Sequence, residues 1–113
     1  MKLGQKQELF SSFLPILIIK AHDLGFDVRV GDLFRDPRVH GAYGEKVGYS
    51  SAYSMHKLKL AVDLNLFINN VLKVKTSDFQ VLGEWWEQQH ELCRWGGRFK
   101  DGNHFSLTHD GRA

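Results

Sequence analysis

Leu60 to Ile68 is the stretch that most restricts the fold. Its residues alternate with a period of two, Leu60, Val62, Leu64 and Leu66 on one face and Ala61, Asp63, Asn65 and Phe67 on the other. A strand patterned this way must bury its leucine face and can leave the other open. Asn69-Asn70 reads as a turn, so Val71–Lys75 is predicted to return antiparallel to it. The cover for the leucine face is predicted as a helix over 5–24, where Leu9, Phe10, Phe13, Leu14, Leu17, Ile18, Ala21 and Leu24 recur at helical spacing and Gly25 supplies a stop. Pro15 inside that pattern either kinks the helix or marks its true first turn.

The remaining chain fits the same plan. Phe26–Val30 alternates and is predicted as a short strand. Residues 31–53, rich in Gly, Asp, Tyr and Arg, are predicted irregular, with room for one short helical turn. Residues 78–92 carry Phe79, Leu82, Trp86 and Leu92 on one helical side until Trp95-Gly-Gly97 breaks the pattern. Asp101-Gly-Asn103 is a turn and His104–Leu107 a short final strand. The expected class is α+β, a small antiparallel sheet flanked by helices, in one domain spanning residues 1–113.

Composition narrows the chemistry. With 42% hydrophobic and 25% charged residues the chain has the makings of a core, which excludes a disordered segment. Its one cysteine, Cys93, excludes an internal disulfide and a multi-cysteine zinc cluster, so any metal must be held by His, Asp or Glu. A net charge of +2 suits approach to an anionic polymer such as nucleic acid or a bacterial wall, but on charge alone an ordinary solvated surface is the plainer reading. The most apolar run, Phe10–Ile19, is too short to span a bilayer, and Lys20, His22 and Asp23 follow it instead of a small-residue cleavage site. The expectation is a chain made in the cytoplasm without a signal peptide, a monomer, with no stable membrane insertion.

The residues that carry chemistry are His56 and Asp63, with Asp101 and His104 about forty positions later. Two imidazoles and one carboxylate are a common three-ligand set for catalytic zinc, leaving a fourth position for water. An unbroken strand would put His56, seven residues before Asp63, on the opposite face, so the chain must turn within 55–59. If the strands of Asp63 and His104 are neighbours, both side chains reach one point. Asp101 is placed either to take a proton from the attacking water or to cap its own turn as an Asx residue. From spacing alone, satisfied structural His and Asp residues remain the alternative.

These residues resemble the zinc D-alanyl-D-alanine carboxypeptidase/L-alanyl-D-glutamate endopeptidase family, which includes VanX- and VanY-type enzymes and phage endolysins. Its pattern, Ser-x-His-x-x-Gly-x-Ala-x-Asp followed by Asp/Glu-x-x-His, is matched here by Ser54, His56, Ala61, Asp63, Asp101 and His104. Trp95-Gly-Gly97 and His104-Phe105 extend the likeness, which runs from about Phe26 to Leu107. The resemblance implies the Hedgehog/DD-peptidase-like zinc peptidase fold, zinc ligands His56, Asp63 and His104, and Asp101 as catalytic base. It also implies an arginine that binds substrate and braces the oxyanion, for which Arg35 is the candidate, near Arg29 and Arg38. The implied substrate is the peptidoglycan stem peptide, most simply cut between L-Ala and D-Glu in the manner of an endolysin. The rivals are a D,D-carboxypeptidase or dipeptidase of the same fold and a catalytically silent metal- or wall-binding module. The family glycine is Lys59 here, which fits only if the turn avoids backbone angles reserved for glycine.

Other residues have plainer readings. His22, His40, His90 and His109 are expected at the surface or in structural roles, and Trp85 and Trp86 in the core. Trp95 is either a substrate wall or core. Ser54 is expected to fix the ligand loop and so contribute to substrate binding, with no His–Asp relay to make it a nucleophile. Tyr43, Tyr49 and Tyr53, in the irregular segment before His56, could line a cleft, with packing the plainer expectation. Arg94–Lys100 interleaves with aromatics but forms no nucleic-acid module, so no nucleic-acid partner is expected.

Overall fold

The computed structural model describes residues 1–113. In chain order it contains α1 (Leu3–Asp23), β1 (Asp27–Val30), α2 (Pro37–His40), a 3-10 turn (Met55–Leu58), β2 (Ala61–Ile68) and β3 (Val71–Lys73). A second 3-10 turn (Thr76–Phe79), α3 (Gln80–Gln89), β4 (Cys93–Trp95), a third 3-10 turn (Gly96–Phe99) and β5 (His104–Leu107) complete it. This is α+β, as its patterning predicts. No helix is long and apolar enough to cross a membrane.

β2 is the hub of the sheet, whose order is β1-β2-β5-β4 with β3 also on β2. Every pairing is antiparallel. β1 pairs along the second half of β2, while β5 pairs with its first half, setting Asp63 opposite His104. The leucine face behaves as expected: Leu60, Val62, Leu64 and Leu66 are fully buried. They join Leu17 and Ala21 of α1 and Leu82 and Trp86 of α3 in one apolar cluster.

Trp86 fixes the centre of that cluster. Phe10, Phe13 and Phe105 meet its ring edge-to-face at centroid distances of 6.2, 6.0 and 6.3 Å. Its buried indole N–H donates to the carbonyls of Arg94 and Ser106 at 3.1 Å each, satisfying the one polar atom the ring brings inside.

Three expectations shift. Pro15 is not a first turn, because α1 runs through it. Pro15 and Ser11 both lie on the exposed side, so water can serve the carbonyl that the missing N–H leaves free. The second helix stops at Gln89, since His90 is extended, and residues 93–95 form β4, too short to show a period in sequence. The strand predicted over 71–75 ends at Lys73.

Candidate metal centre

Three backbone devices bring His56, Asp63 and His104 together. β2 projects Asp63 from its open face, and the register of β5 sets His104 directly across from it. The 3-10 turn Met55–Leu58 supplies the reversal that puts His56 on the same side. Ser54 caps that turn, its Oγ accepting from the His56 amide at 3.2 Å. Lys59 closes the turn in the left-handed region, φ 58° and ψ 37°. That region is open to L-residues at a cost, unlike the angles only glycine reaches, so a lysine can stand where the family pattern has glycine.

The geometry suits a cation. His56 Nε2 lies 3.1 Å and His104 Nδ1 3.4 Å from Asp63 Oδ1. All three ligand atoms fall within 4.8 Å of one another. A tetrahedral ion with bonds of ~2 Å separates its ligand atoms by ~3.3 Å. His56 Nδ1 sits 2.8 Å from the Leu33 carbonyl, which only accepts, so Nδ1 donates there and Nε2 is the ring atom aimed at Asp63. Two imidazole nitrogens aimed at one carboxylate oxygen call for positive charge among them, which a divalent ion held by these residues would supply. Both rings are buried. Burial works to raise the pKa of Asp63, but contacts with His104 and His56 outweigh it and hold the carboxyl well below the usual carboxylate range.

Arg35 stands beside this centre. Its Nε donates to Asp32 at 3.2 Å and its Nη1 to Ser50 and Ser54 at 3.3 and 3.2 Å, leaving Nη2 3.8 Å from Asp63 Oδ2. Ser54 thus holds both the ligand turn and the arginine. Tyr49 completes the arrangement: its hydroxyl donates to Asp32 at 2.8 Å and its ring lies under the Arg35 guanidinium at 5.1 Å. Arg29 lies elsewhere, over Phe67, and Arg38 is paired with Asp36.

Asp101 is on the rim. Its carboxylate is exposed, with Oδ2 3.9 Å from His104 Nδ1. The turn it opens is closed by its backbone carbonyl accepting from the His104 amide at 3.1 Å, so the side chain is not spent as an Asx cap. Gly96 allows this closeness: a Cβ there would stand 2.2 Å from the Asp101 carbonyl oxygen and 2.7 Å from the His104 Cβ.

A cleft of about 310 Å³ opens over the centre, lined by Arg35, Tyr49, Tyr53, Ser54, His56, Phe99, Asp101 and His104 among others. A second open cavity of about 300 Å³ lies on the other side of Asp101. Trp95, expected as wall or core, is core. It is 5% exposed, its ring is pressed between Gly83 and Gly97, and its indole N–H donates to the Gly102 carbonyl at 2.7 Å. It is not among the residues that line the cleft. Of the two readings left for Tyr49 and Tyr53, packing or lining a cleft, both side chains take the second and are exposed on the cleft. Of the other histidines, His90 Nδ1 accepts from the Leu92 amide and His109 meets Lys6, both structural arrangements.

Lys57 was not singled out by its sequence, where it reads as one more polar residue of a turn. It is 8% exposed, and its ammonium donates to the carbonyls of His40, Ala42 and Glu45 at 2.9, 3.4 and 2.6 Å. This pins the loop leading to Tyr49 and Ser50 against the turn that carries His56.

Comparison with known proteins agrees with this chemistry. No curated protein is significantly similar in sequence. Residues 48–107, which include all three ligand candidates and Asp101, match the family described as D-alanyl-D-alanine carboxypeptidase. With more than half of its length matched and a His-Asp-His cluster that could hold a metal ion, the chain belongs to the D-alanyl-D-alanine carboxypeptidase family of zinc peptidases.

Proposed function

We propose that this protein is a zinc-dependent peptidoglycan hydrolase of the endolysin type, cutting stem peptides between L-Ala and D-Glu. The carrying observation is that His56, Asp63 and His104 converge on one point with the Asp101 carboxylate free at its edge. Zinc held by those three residues would supply Lewis acidity to the attacking water and to the scissile carbonyl.

The chain's own groups do the rest. Asp101 takes the proton of the attacking water and passes it to the leaving amine, a role that requires a carboxylate near the ligands but not consumed as one. Arg35, held on three sides by Asp32, Ser50 and Ser54, keeps its guanidinium fixed where negative charge builds on the carbonyl oxygen. Tyr49, Tyr53 and Phe99 give the substrate a wall. An internal cut needs room on both sides of the scissile bond, and the support for it is that Asp101 borders two open cavities. In this reading the enzyme works as a monomer at the cell wall, without nucleic acid or membrane insertion.

The second reading, a D-alanyl-D-alanine carboxypeptidase, is favoured by the description of the matched family. Mass spectrometry of digested muropeptides, with and without chelator, separates the two. A new N-terminal D-Glu supports the endopeptidase, and released D-Ala the carboxypeptidase. In the same assay His56→Ala should lose both zinc and cleavage, while Asp101→Ala should lose cleavage and keep zinc. Cleavage retained by Asp101→Ala removes it from the base role.

A further inference from the structure

Past β1 the chain keeps running beside β2. The Gly31 amide donates to the Asp63 carbonyl at 2.7 Å, and the Asp63 amide donates to the Asp32 carbonyl at 2.9 Å. A Cβ at Gly31 would stand 3.0 Å from the Asp63 carbonyl oxygen, so glycine lets the segment close this near. Asp32 is thereby locked to the backbone of a metal-ligand candidate, while its side chain serves Arg35. Asp32 Oδ2 accepts from Arg35 Nε at 3.2 Å and from the Tyr49 hydroxyl at 2.8 Å. Arg35 Nη1 goes to the neutral hydroxyls of Ser50 and Ser54. The guanidinium comes no closer to Asp63 than 3.8 Å, from Nη2 to Oδ2, which is beyond hydrogen-bond reach.

This arrangement has a charge logic. The side chains of Arg35 and Asp63 are only 14% and 18% exposed, so salt screens their attraction weakly. Asp63 Oδ1 already faces His56 and His104. A guanidinium bonded directly to Oδ2 would draw charge from the carboxylate and set a cation beside a divalent ion held through Oδ1, weakening the hold on that ion. Asp32 supplies the competing carboxylate: it takes the charge-assisted hydrogen bond and balances the guanidinium. We infer that Asp32 is a positioning residue that holds Arg35 off Asp63, so that Asp63 keeps its charge for the ion. The inference rests on the metal centre of the peptidase reading, and zinc affinity reads it without any substrate.

Chelator competition for zinc on the wild type, Asp32→Asn, Arg35→Gln and the double variant tests it. Asparagine keeps an acceptor oxygen and loses the charge. Asp32→Asn should weaken zinc binding about tenfold, the lower end of what partners of metal ligands contribute. Arg35→Gln should bind zinc at least as tightly as the wild type, and adding Asp32→Asn to it should change the affinity by about twofold at most. Wild-type affinity in Asp32→Asn, or weaker binding by Arg35→Gln, overturns the inference. So does a loss in Asp32→Asn that persists without Arg35, because it then reflects the fold or the charge of Asp32 alone. No zinc uptake by the wild type overturns the inference and the peptidase reading together. The expected affinities without muropeptide cleavage leave the role of Asp32 standing and remove the hydrolase reading. Wild-type cleavage with unaltered zinc affinity in Asp32→Asn does the reverse.

Discussion

Replacing Lys59 by glycine and, in parallel, by alanine tests the turn that delivers His56. Lys59 sits at φ 58° and ψ 37°, just after the 3-10 turn, with the amide of Leu60 donating back to Met55 at 3.0 Å. A residue with a Cβ pays about 1–2 kcal/mol in this left-handed region. Glycine escapes that cost but loses about 0.5–1 kcal/mol more conformational entropy on folding. Both substitutions remove the lysine stem and its ammonium, which lies 5.2 Å from the Phe34 ring, so that loss cancels between them. The glycine variant should therefore exceed the alanine variant by about 0.5–1 kcal/mol. For a domain of this size that is a Tm difference of about 2–6 °C. Were residue 59 right-handed, alanine would win by about 1 kcal/mol, so the sign alone decides. Urea and thermal unfolding followed by circular dichroism, on chelator-treated protein, give the comparison free of metal linkage. An alanine variant as stable as the glycine variant refutes the left-handed turn and, with it, the route by which His56 joins Asp63.

Other perturbations probe the surroundings of the site. Gly96→Ala would drive a methyl group into the Asp101 carbonyl and the His104 Cβ, a displacement of about 1 Å that should cost on the order of a hundredfold in activity and weaken zinc retention. Wild-type zinc affinity under chelator competition, together with wild-type activity, would show that the contact is not needed. Lys57→Met leaves three carbonyls without their donor and should destabilise by about 2–3 kcal/mol in urea unfolding; a loss under 0.5 kcal/mol would mean that water takes over its role. Burial pushes the Cys93 thiol up to about 12 from an ordinary 9.0. The folded state then keeps its proton while the unfolded chain loses its own, so this contribution to stability is intact below pH ~9 and declines as pH rises from there toward 12. At pH 8 Ellman's reagent should label Cys93 only at the rate of unfolding; a fast native burst would contradict the burial.

Much of this molecule is legible in its sequence because two features are strongly local. The β2 alternation announces both the buried leucine face and the open face that carries Asp63. The need for a reversal between His56 and Asp63 follows from strand geometry alone, and the 3-10 turn meets it. What stayed hidden depends on partners distant in the chain. Trp95 beside two glycines reads the same whether the glycines admit a substrate or the ring itself, and only Gly83 of α3, closing over the indole, decides for the ring. Lys57 is polar in a polar segment, and nothing local reveals that three carbonyls from another loop surround its ammonium. Tyr49 and Tyr53 carry the residue type of a packed core and are held out on the cleft, Tyr49 through its bond to Asp32. β4 spans three residues, fewer than a period needs to declare itself.

The pairing of Asp63 with His104 has a consequence for how the molecule holds together. Between those two positions runs the excursion containing β3, α3 and β4. An ion gripped by both would staple the ends of that excursion, restricting the unfolded chain much as a cross-link does. Chelation should then act on this protein the way a reductant acts on a disulfide-bonded one, freeing that loop in the unfolded chain and so lowering the stability of the whole domain.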